Sequence, residues 1–237
     1  MATDSLVIIP TYNEIENVEK MVTAIMQLPE RFDVLFVDDH SPDGTALKIK
    51  ELKAKFPDQI HLEERSGKLG LGTAYIHGFR WAIARNYPLV FEMDCDFSHD
   101  PKDLVRLRKT CLEGADLAIG SRYVKGGKVK NWDRKRLLMS FFASVYVRTI
   151  LFIGVRDTTA GFKCYKLAVL KSIKLENVTF KGYAFQICMK YAAIKHGFKV
   201  KEIPITFIDR LFGESKRSTS ICKEAFLGVW KMRKMDL

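Results

Sequence analysis

The stretch VFEMDCDFSHDP, residues 90–101, runs from apolar Val90 and Phe91 into Asp94, Asp96 and Asp100. Read back to Pro88, PLVFEMD (88–94) is a short buried strand that ends abruptly in carboxylates. Two other segments have the same form: SLVIIP (5–10) leads into Thr11-Tyr12-Asn13-Glu14, and DVLFVDD (33–39) ends in Asp38-Asp39. A fourth apolar strand is ADLAIG (115–120), and residues 60–64 form a further one. Helical periodicity fills the gaps. Asn13 reads as the cap of a helix running to about Gln27, with Glu16 as its capping-box partner. SPDG (41–44) is a turn before TALKIKELKAKF (45–56). Residues 72–85 form the next helix, and Asp100-Pro101 supplies an N-cap with proline at the first helical position. This β-α-β-α order predicts an α/β protein with a mostly parallel, doubly wound sheet in the first half. After residue 120 basic loops, one long apolar helix and a shorter α+β tail follow. No linker, repeat or low-complexity segment divides the chain, so residues 1–237 are expected to form one domain.

In an open parallel sheet, ligands bind in the crevice beyond the carboxyl ends of the strands. The three polar clusters are therefore expected to face one crevice. Asp94 and Asp96, two residues apart beyond a strand, can face one hard cation. Magnesium takes one or two carboxylates and fills its other positions with substrate phosphates, and it relieves the repulsion between like charges. A Mg²⁺ or Mn²⁺ ion bridging to a diphosphate is the reading that follows.

Composition agrees. Of 237 residues 39 are Lys or Arg against 28 Asp or Glu, a net charge of +11, which favours anionic partners. Nucleic acid is not among them: basic residues interleaved with exposed aromatics are sparse, and carboxylates at the strand ends would repel a phosphate backbone. The five cysteines are odd in number and widely spaced, and no CxxC pair suggests zinc or a disulfide framework; a reducing cytosol fits. The stretch MATDSLVIIPTYNE has no basic n-region and too short an apolar run for a signal peptide.

PTYNE (10–14), VDDHSPDGT (37–45), GLGTAYIHGF (70–79), MDCDFSHDP (93–101), GSRYVKGG (120–127), GFKCYK (161–166) and IDRLFGESK (208–216) follow one another in order. Together they resemble the dolichyl-phosphate (polyprenol-phosphate) mannosyltransferases, family-2 glycosyltransferases of GT-A, Rossmann-like fold, over nearly the whole chain. The chain departs from the usual pattern at Cys95 and at Ser98. The resemblance implies metal-dependent, inverting transfer of mannose from GDP-mannose to a polyprenyl or dolichyl phosphate. It implies that Pro10, Tyr12, Glu14, Asp38 and Asp39 hold the guanosine. Asp94 and Asp96 face the sugar and the metal, with Ser98 as the third metal contact. Arg122, Arg136 and Ser140 hold the acceptor phosphate, and Arg210 and Lys216 serve the charged phosphates; Lys68, before the glycine-rich turn, is a further anion candidate. The residues themselves do not separate guanine from uracil, so a sister enzyme using UDP-glucose on the same lipid phosphate is the alternative. A phosphate monoester is largely ionised near pH 7 and needs no strong general base. His77 and His99 lie in motif segments with no evident partner and are read as structural.

The acceptor's other end is a lipid. RLLMSFFASVYVRTILFIGVR (136–156) is the most apolar helix candidate, with Arg136, Ser140, Ser144 and Arg148 at four-residue intervals along one stripe. A spanning helix wants about 20 apolar residues and rarely a central arginine. The segment is therefore expected to lie at an interface, with Arg136 and Ser140 toward the crevice and Phe141, Phe142 and Tyr146 toward acyl chains. The tail AFLGVWKMRKM (225–235), within a second amphipathic helix near 218–235, suits a membrane surface as well. A peripheral protein on the cytoplasmic face of a membrane follows (the endoplasmic reticulum in a eukaryote, the plasma membrane in a prokaryote), or one that borrows an anchor from a small partner subunit.

Overall fold

The computed structural model describes residues 3–209 and 219–237. The first half alternates as the periodicity predicts: β1 (Ser5–Thr11), α1 (Ile15–Met26), β2 (Asp33–Asp38), α2 (Thr45–Lys55), β3 (Ile60–Glu64), α3 (Leu71–Ala84), β4 (Leu89–Glu92), α4 (Asp103–Leu112) and β5 (Leu117–Ser121). The second half holds β6 (Lys128–Lys130), α5 (Arg134–Leu151), β7 (Lys163–Lys166), α6 (Leu167–Ser172), a 3-10 turn at Leu175–Asn177, α7 (Tyr183–Lys195), β8 (Val200–Pro204), β9 (Thr206–Ile208) and α8 (Thr219–Met232).

Seven strands form one sheet in the order β3-β2-β1-β4-β7-β5-β8. All pairings are parallel except those of β7, which runs antiparallel between β4 and β5. Strands β6 and β9 form a separate parallel pair. The apolar runs of β1 and β2 are buried on both faces, which is why they do not alternate with polar residues. Leu6, Ile8, Leu35 and Val37 face a core built with α3, α5, α6, α7 and α8. Val7, Ile9, Val34 and Phe36 face the opposite core, built with α1, α2 and α4. Helix α3 lies close against the sheet because residue 78 is glycine: a Cβ there would stand 2.6 Å from Ile8 Cγ2.

Two caps differ from expectation. Asn13 is not the cap of α1. It adopts a left-handed φ of 56°, Glu14 stands at the N-cap without a side-chain cap, and the Ile15 N–H is met from across the crevice by Asp43 Oδ2 at 3.2 Å. Asp100 does accept the Lys102 N–H at 3.0 Å, but a turn intervenes and the helix begins at Asp103.

Candidate active site

Because β2, β1 and β4 are neighbours and parallel, their carboxyl ends form one edge. Thr11 registers with Asp38, and Ile8 with Glu92. The polar clusters at 10–14, 38–39 and 94–96 therefore share that edge.

The aspartates differ in how they are held. Asp38 is wholly buried and accepts from Thr11 Oγ1 (2.8 Å), the Ser41 N–H (2.8 Å) and Ser41 Oγ (2.6 Å). It braces the β1 and β2 ends rather than lining an open surface. Asp39 pairs with Arg65, whose Nε donates to Oδ1 at 2.6 Å, and takes the Leu69 N–H on Oδ2 at 3.2 Å. Arg65 also donates to Thr73 Oγ1 and the Gly70 carbonyl, so one guanidinium shapes the 65–70 loop. Nothing in the sequence marked Arg65 out among so many basic residues. At the head of that loop Lys68 Nζ lies 4.4 Å over the Tyr12 ring, which brings two predicted site residues together. Glu14, beside half-buried Pro10 and Tyr12 in sequence, accepts from Asn17 Nδ2 at 2.8 Å.

Asp94 accepts a 3.3 Å hydrogen bond from the Tyr75 hydroxyl. Burial and the nearby Asp94 charge push that phenol well above its ordinary range, so it remains a donor. Asp96 Oδ1 takes the Ser98 N–H at 3.0 Å. Between them in the loop, Phe97 has a φ of 58°, an uncommon conformation for a bulky residue. The Ser98 carbonyl accepts from the Ile208 N–H, tying the loop to β9. His99 is buried between the Phe162 and Phe207 rings. Burial lowers its imidazole to about 4 despite the Asp96 charge, so it is neutral at pH 7, in keeping with a structural role. His77 bonds to Glu63 Oε2 at 3.0 Å, on the outer strand β3.

Behind Asp94 lies a fully buried polar network. Glu92 pairs with Lys163 at 3.1 Å and accepts from Tyr165 OH (2.8 Å) and Gln186 Nε2 (2.9 Å). Lys190 Nζ donates to the carbonyls of Thr158 (2.9 Å), Ala160 (2.7 Å) and Gln186 (3.3 Å). The strand motif GFKCYK thus carries a fully buried lysine, Lys163.

On the second half, Arg122 and Arg136 lie against the same indole, 5.3 and 4.0 Å from the Trp132 centroid. Arg122 is 8 % exposed and already engaged: Nε and Nη2 hold Asp157 at 2.7 and 2.6 Å, and Nη2 also reaches Thr159 Oγ1. Its fork is filled by a carboxylate 35 residues on in sequence. Arg136 pairs with Asp209, while its buried Nε has no hydrogen-bond partner. Ser140 accepts from Tyr123 OH at 2.7 Å. Arg122, Arg136 and Ser140 thus come together, joined by Trp132 and Tyr123, which sequence reading had not singled out. Arg210 and Lys216 lie outside the described residues. Among the described residues no group of three or more His, Cys, Asp or Glu side chains converges as a metal site; Asp94 and Asp96 remain a pair.

Residues 6–174 match the glycosyl transferase family 2 model. The chain belongs to that family. This family-2 chain is 47 % identical over 231 residues to the polyprenol monophosphomannose synthase of Mycolicibacterium smegmatis, covering 97 % of itself and 87 % of the relative. It is 43 % identical over 224 residues to the undecaprenyl-phosphate mannosyltransferase of Micrococcus luteus, covering 94 % and 91 %. Among solved structures it resembles glucosyl-3-phosphoglycerate synthase from Mycobacterium tuberculosis in complex with Mn²⁺, UDP and glucosyl-3-phosphoglycerate. The TM-score is 0.67 at 16 % identity, covering 96 % of this chain and 78 % of that one. It also resembles a mannosyltransferase from Pyrobaculum calidifontis in complex with GDP-Man and Mn²⁺. Here the TM-score is 0.59 at 14 % identity, covering 98 % and 70 %. At such identities the likeness establishes the fold, and it is the GT-A arrangement expected of the family-2 motifs.

Proposed function

We propose that the protein transfers mannose from GDP-mannose to a polyprenyl phosphate in one inverting displacement, giving polyprenyl β-D-mannosyl phosphate and GDP. The end-to-end identity of 47 % to a polyprenol monophosphomannose synthase carries this reading. Pro10, Tyr12, Glu14 and Asp39 bind the guanosine, with Asp38 supporting the edge from beneath. The lipid phosphate is its own nucleophile, so the chain's task is to align two anions and offset their repulsion. Arg136, through its unmatched Nε, and Ser140 hold the acceptor phosphate. Arg122, locked to Asp157, contributes fixed positive charge beside them rather than a fork. Arg210 and Lys216 serve the diphosphate, with Lys68 as a further cation near Tyr12.

The oxygen donors fit a hard divalent cation. Asp94 and Asp96 would hold Mg²⁺ or Mn²⁺, with Ser98 as the third contact. Two carboxylates are the number such an ion takes when phosphates complete its shell. When bound, the ion supplies Lewis-acid stabilisation of the leaving diphosphate.

The protein works at a membrane surface. No helix among the described residues is long and apolar enough to cross a bilayer. Yet α5 exposes Leu138, Met139, Phe141 and Phe142, and α8 exposes Phe226, Leu227 and Trp230. Both helices are peripheral elements that rest on the cytoplasmic face, where the nucleotide sugar is available, with or without a small anchoring subunit. Tyr146 belongs to the seam between them: its ring stacks on Phe226 at 4.7 Å, its hydroxyl donates to the Phe226 carbonyl and accepts from Trp230 Nε1.

The test is direct. Protein, mannose-labelled GDP-mannose, a polyprenyl phosphate and Mg²⁺ are incubated, and label is sought in the organic phase. Label that appears, competes with GDP and not UDP, and needs both lipid phosphate and cation is the expected result. Transfer from UDP-glucose instead would replace the donor assignment, and no transfer from either would overturn the reading.

A further inference from the structure

Arg148 lies twelve residues along α5 from Arg136, about 18 Å at 1.5 Å per residue. It flanks the exposed stripe of Leu138, Phe141, Phe142, Val145 and Phe152. Its Nε is buried without a hydrogen-bond partner. Native proteins seldom leave a buried donor unmatched, least of all on a charged group.

The surroundings of Arg148 are as unusual. Val145, Arg148, Thr149, Phe152 and Ile153 line a groove of about 420 Å³. Phe152 closes α5 as its C-cap at a left-handed φ of 53°, a conformation that glycine adopts without penalty. Gly154 stands two residues further on. The phenyl ring is 80 % exposed, so neither helix termination nor core packing explains a phenylalanine there. The Arg233 guanidinium lies 5.7 Å over that ring. Arg148 and a solvent-facing phenyl thus line one groove, which shares Val145 with the exposed apolar face of α5, and a second arginine, Arg233, sits over that phenyl.

We propose that this groove binds the phosphate headgroup of an anionic phospholipid in the bilayer, with Phe152 inserted among the acyl chains beside it. The idea rests on the membrane reading given above and adds a specific site to it. Charge complementarity selects the headgroup: Arg148 and Arg233 offer donors to phosphate oxygens. The exposed ring selects a bilayer, since a soluble anion has no use for it. With one contact at each end, α5 would meet the membrane along a line. That fixes its direction on the surface, so the Arg136 end always faces the incoming lipid phosphate.

Vesicle co-sedimentation tests the site, using phosphatidylcholine with and without phosphatidylglycerol. Arg148→Gln with Arg233→Gln should lower binding to the anionic vesicles by roughly 25-fold, at about fivefold per basic residue near the surface, and leave neutral vesicles nearly unaffected. Phe152→Ser should weaken binding to both kinds. Lys109→Gln, on exposed α4 at the opposite face of the sheet, should change neither by more than about twofold. Wild-type binding by the double variant, or an equal loss in the Lys109 control, overturns the site. So does displacement of the protein from vesicles by inorganic phosphate alone, which would mean a soluble-anion pocket. Each variant should transfer mannose to a short, water-soluble acceptor at the wild-type rate; loss of that transfer would place Arg148 in the acceptor site and end the proposal. If the wild-type protein transferred no mannose but its vesicle binding followed these rules, the transfer reading would fail and the headgroup site would stand.

Discussion

Helices α1 and α5 use apolar side chains in opposite ways. In α1, Val18, Met21, Val22 and Ile25 are all but inaccessible, at the three- and four-residue spacing that turns one face onto the sheet. In α5, Val147, Ile150 and Leu151 do the same, but the opposite face carries Leu138, Met139 and Phe142 in the open. A helix with apolar side chains on two opposite faces calls for two apolar neighbours. The core is one of them, and on the membrane reading proposed above a bilayer is the other. The charged groups show the converse. The first half's strand-end carboxylates are held by partners from adjoining elements of the same half, Asp38 by Thr11 and Ser41, Asp39 by Arg65. Arg122 and Arg136 of the second half are joined to Asp157 and Asp209, far along the chain. The first half closes its edge from within its own strands and loops. The second also draws on more distant residues, and on the membrane reading proposed above its exposed apolar face is left for a bilayer.

If that contrast holds, Asp96→Ala should have the largest effect and act on chemistry alone. Transfer should fall by about a thousandfold or more, equivalent to roughly 4 kcal/mol of barrier, with circular dichroism unchanged; EDTA should mimic it and Mg²⁺ or Mn²⁺ reverse it. A variant that retains activity would remove Asp96 from the reaction. Asp157→Asn should break the second half instead. It leaves Arg122 buried without its counter-charge, at a cost of about 3 kcal/mol, measured by denaturant unfolding. Burial raises the Asp157 carboxyl, but the charge and hydrogen bonds of Arg122 outweigh that and hold it below its ordinary value. A carboxyl lowered in the fold contributes stability above its unfolded pKa, and that contribution is lost as pH falls below about 3.9. The wild type should therefore lose more stability than Asp157→Asn in that acid range; parallel acid profiles would show that the pair is not stabilising.

Arg136→Ala should raise the KM for polyprenyl phosphate by roughly 10- to 100-fold, the equivalent of about 1.5–3 kcal/mol for a charged hydrogen bond. GDP affinity, measured by titration calorimetry, should stay the same. An equal loss of GDP binding would move Arg136 to the nucleotide side. The smallest effect belongs to the exposed face. Phe142→Asp should weaken vesicle binding by about 1.5 kcal/mol or more, from burial of one ring at about 25 cal/mol per Å². The double variant with Phe141→Asp should weaken it further, while a water-soluble acceptor is used normally. Unchanged vesicle binding would return the face to water and dissolve the contrast.

What could be read from the sequence follows the same division. The strands of the first half are apolar runs ended by Pro10, Asp38-Asp39 and Asp94, so period and punctuation locate them within a residue or two. The crevice followed from connectivity alone. The caps were harder: Asn13 suits an N-cap by type, but Asp43 from the next loop does the work, and no local pattern shows that. Arg122 was marked by its motif, whereas its partner Asp157 was not, because a pairing across 35 residues is a property of the closed sheet. Lys163 and Lys190 were hidden for a related reason. A lysine reads as surface until something shows that a carboxylate or a set of carbonyls awaits it. Antiparallel β7 went unforeseen because four residues, KCYK, carry too little pattern to reveal direction.

That inserted strand has a consequence for how the molecule is made. β7 fills the gap between β4 and β5, and its Lys163 meets Glu92 two residues before Asp94. When Ser121 leaves the ribosome, both flanking strands exist but neither has its inner neighbour. The next 45 or so residues, through Lys166, take roughly 2–9 s at 5–20 residues per second. During that time two apolar strand edges stand open at the centre of the nascent sheet, where edge pairing with other chains is a hazard. The protein should thus depend on chaperones most during translation of α5, the segment that leaves Leu138, Met139, Phe141 and Phe142 exposed even in the finished fold.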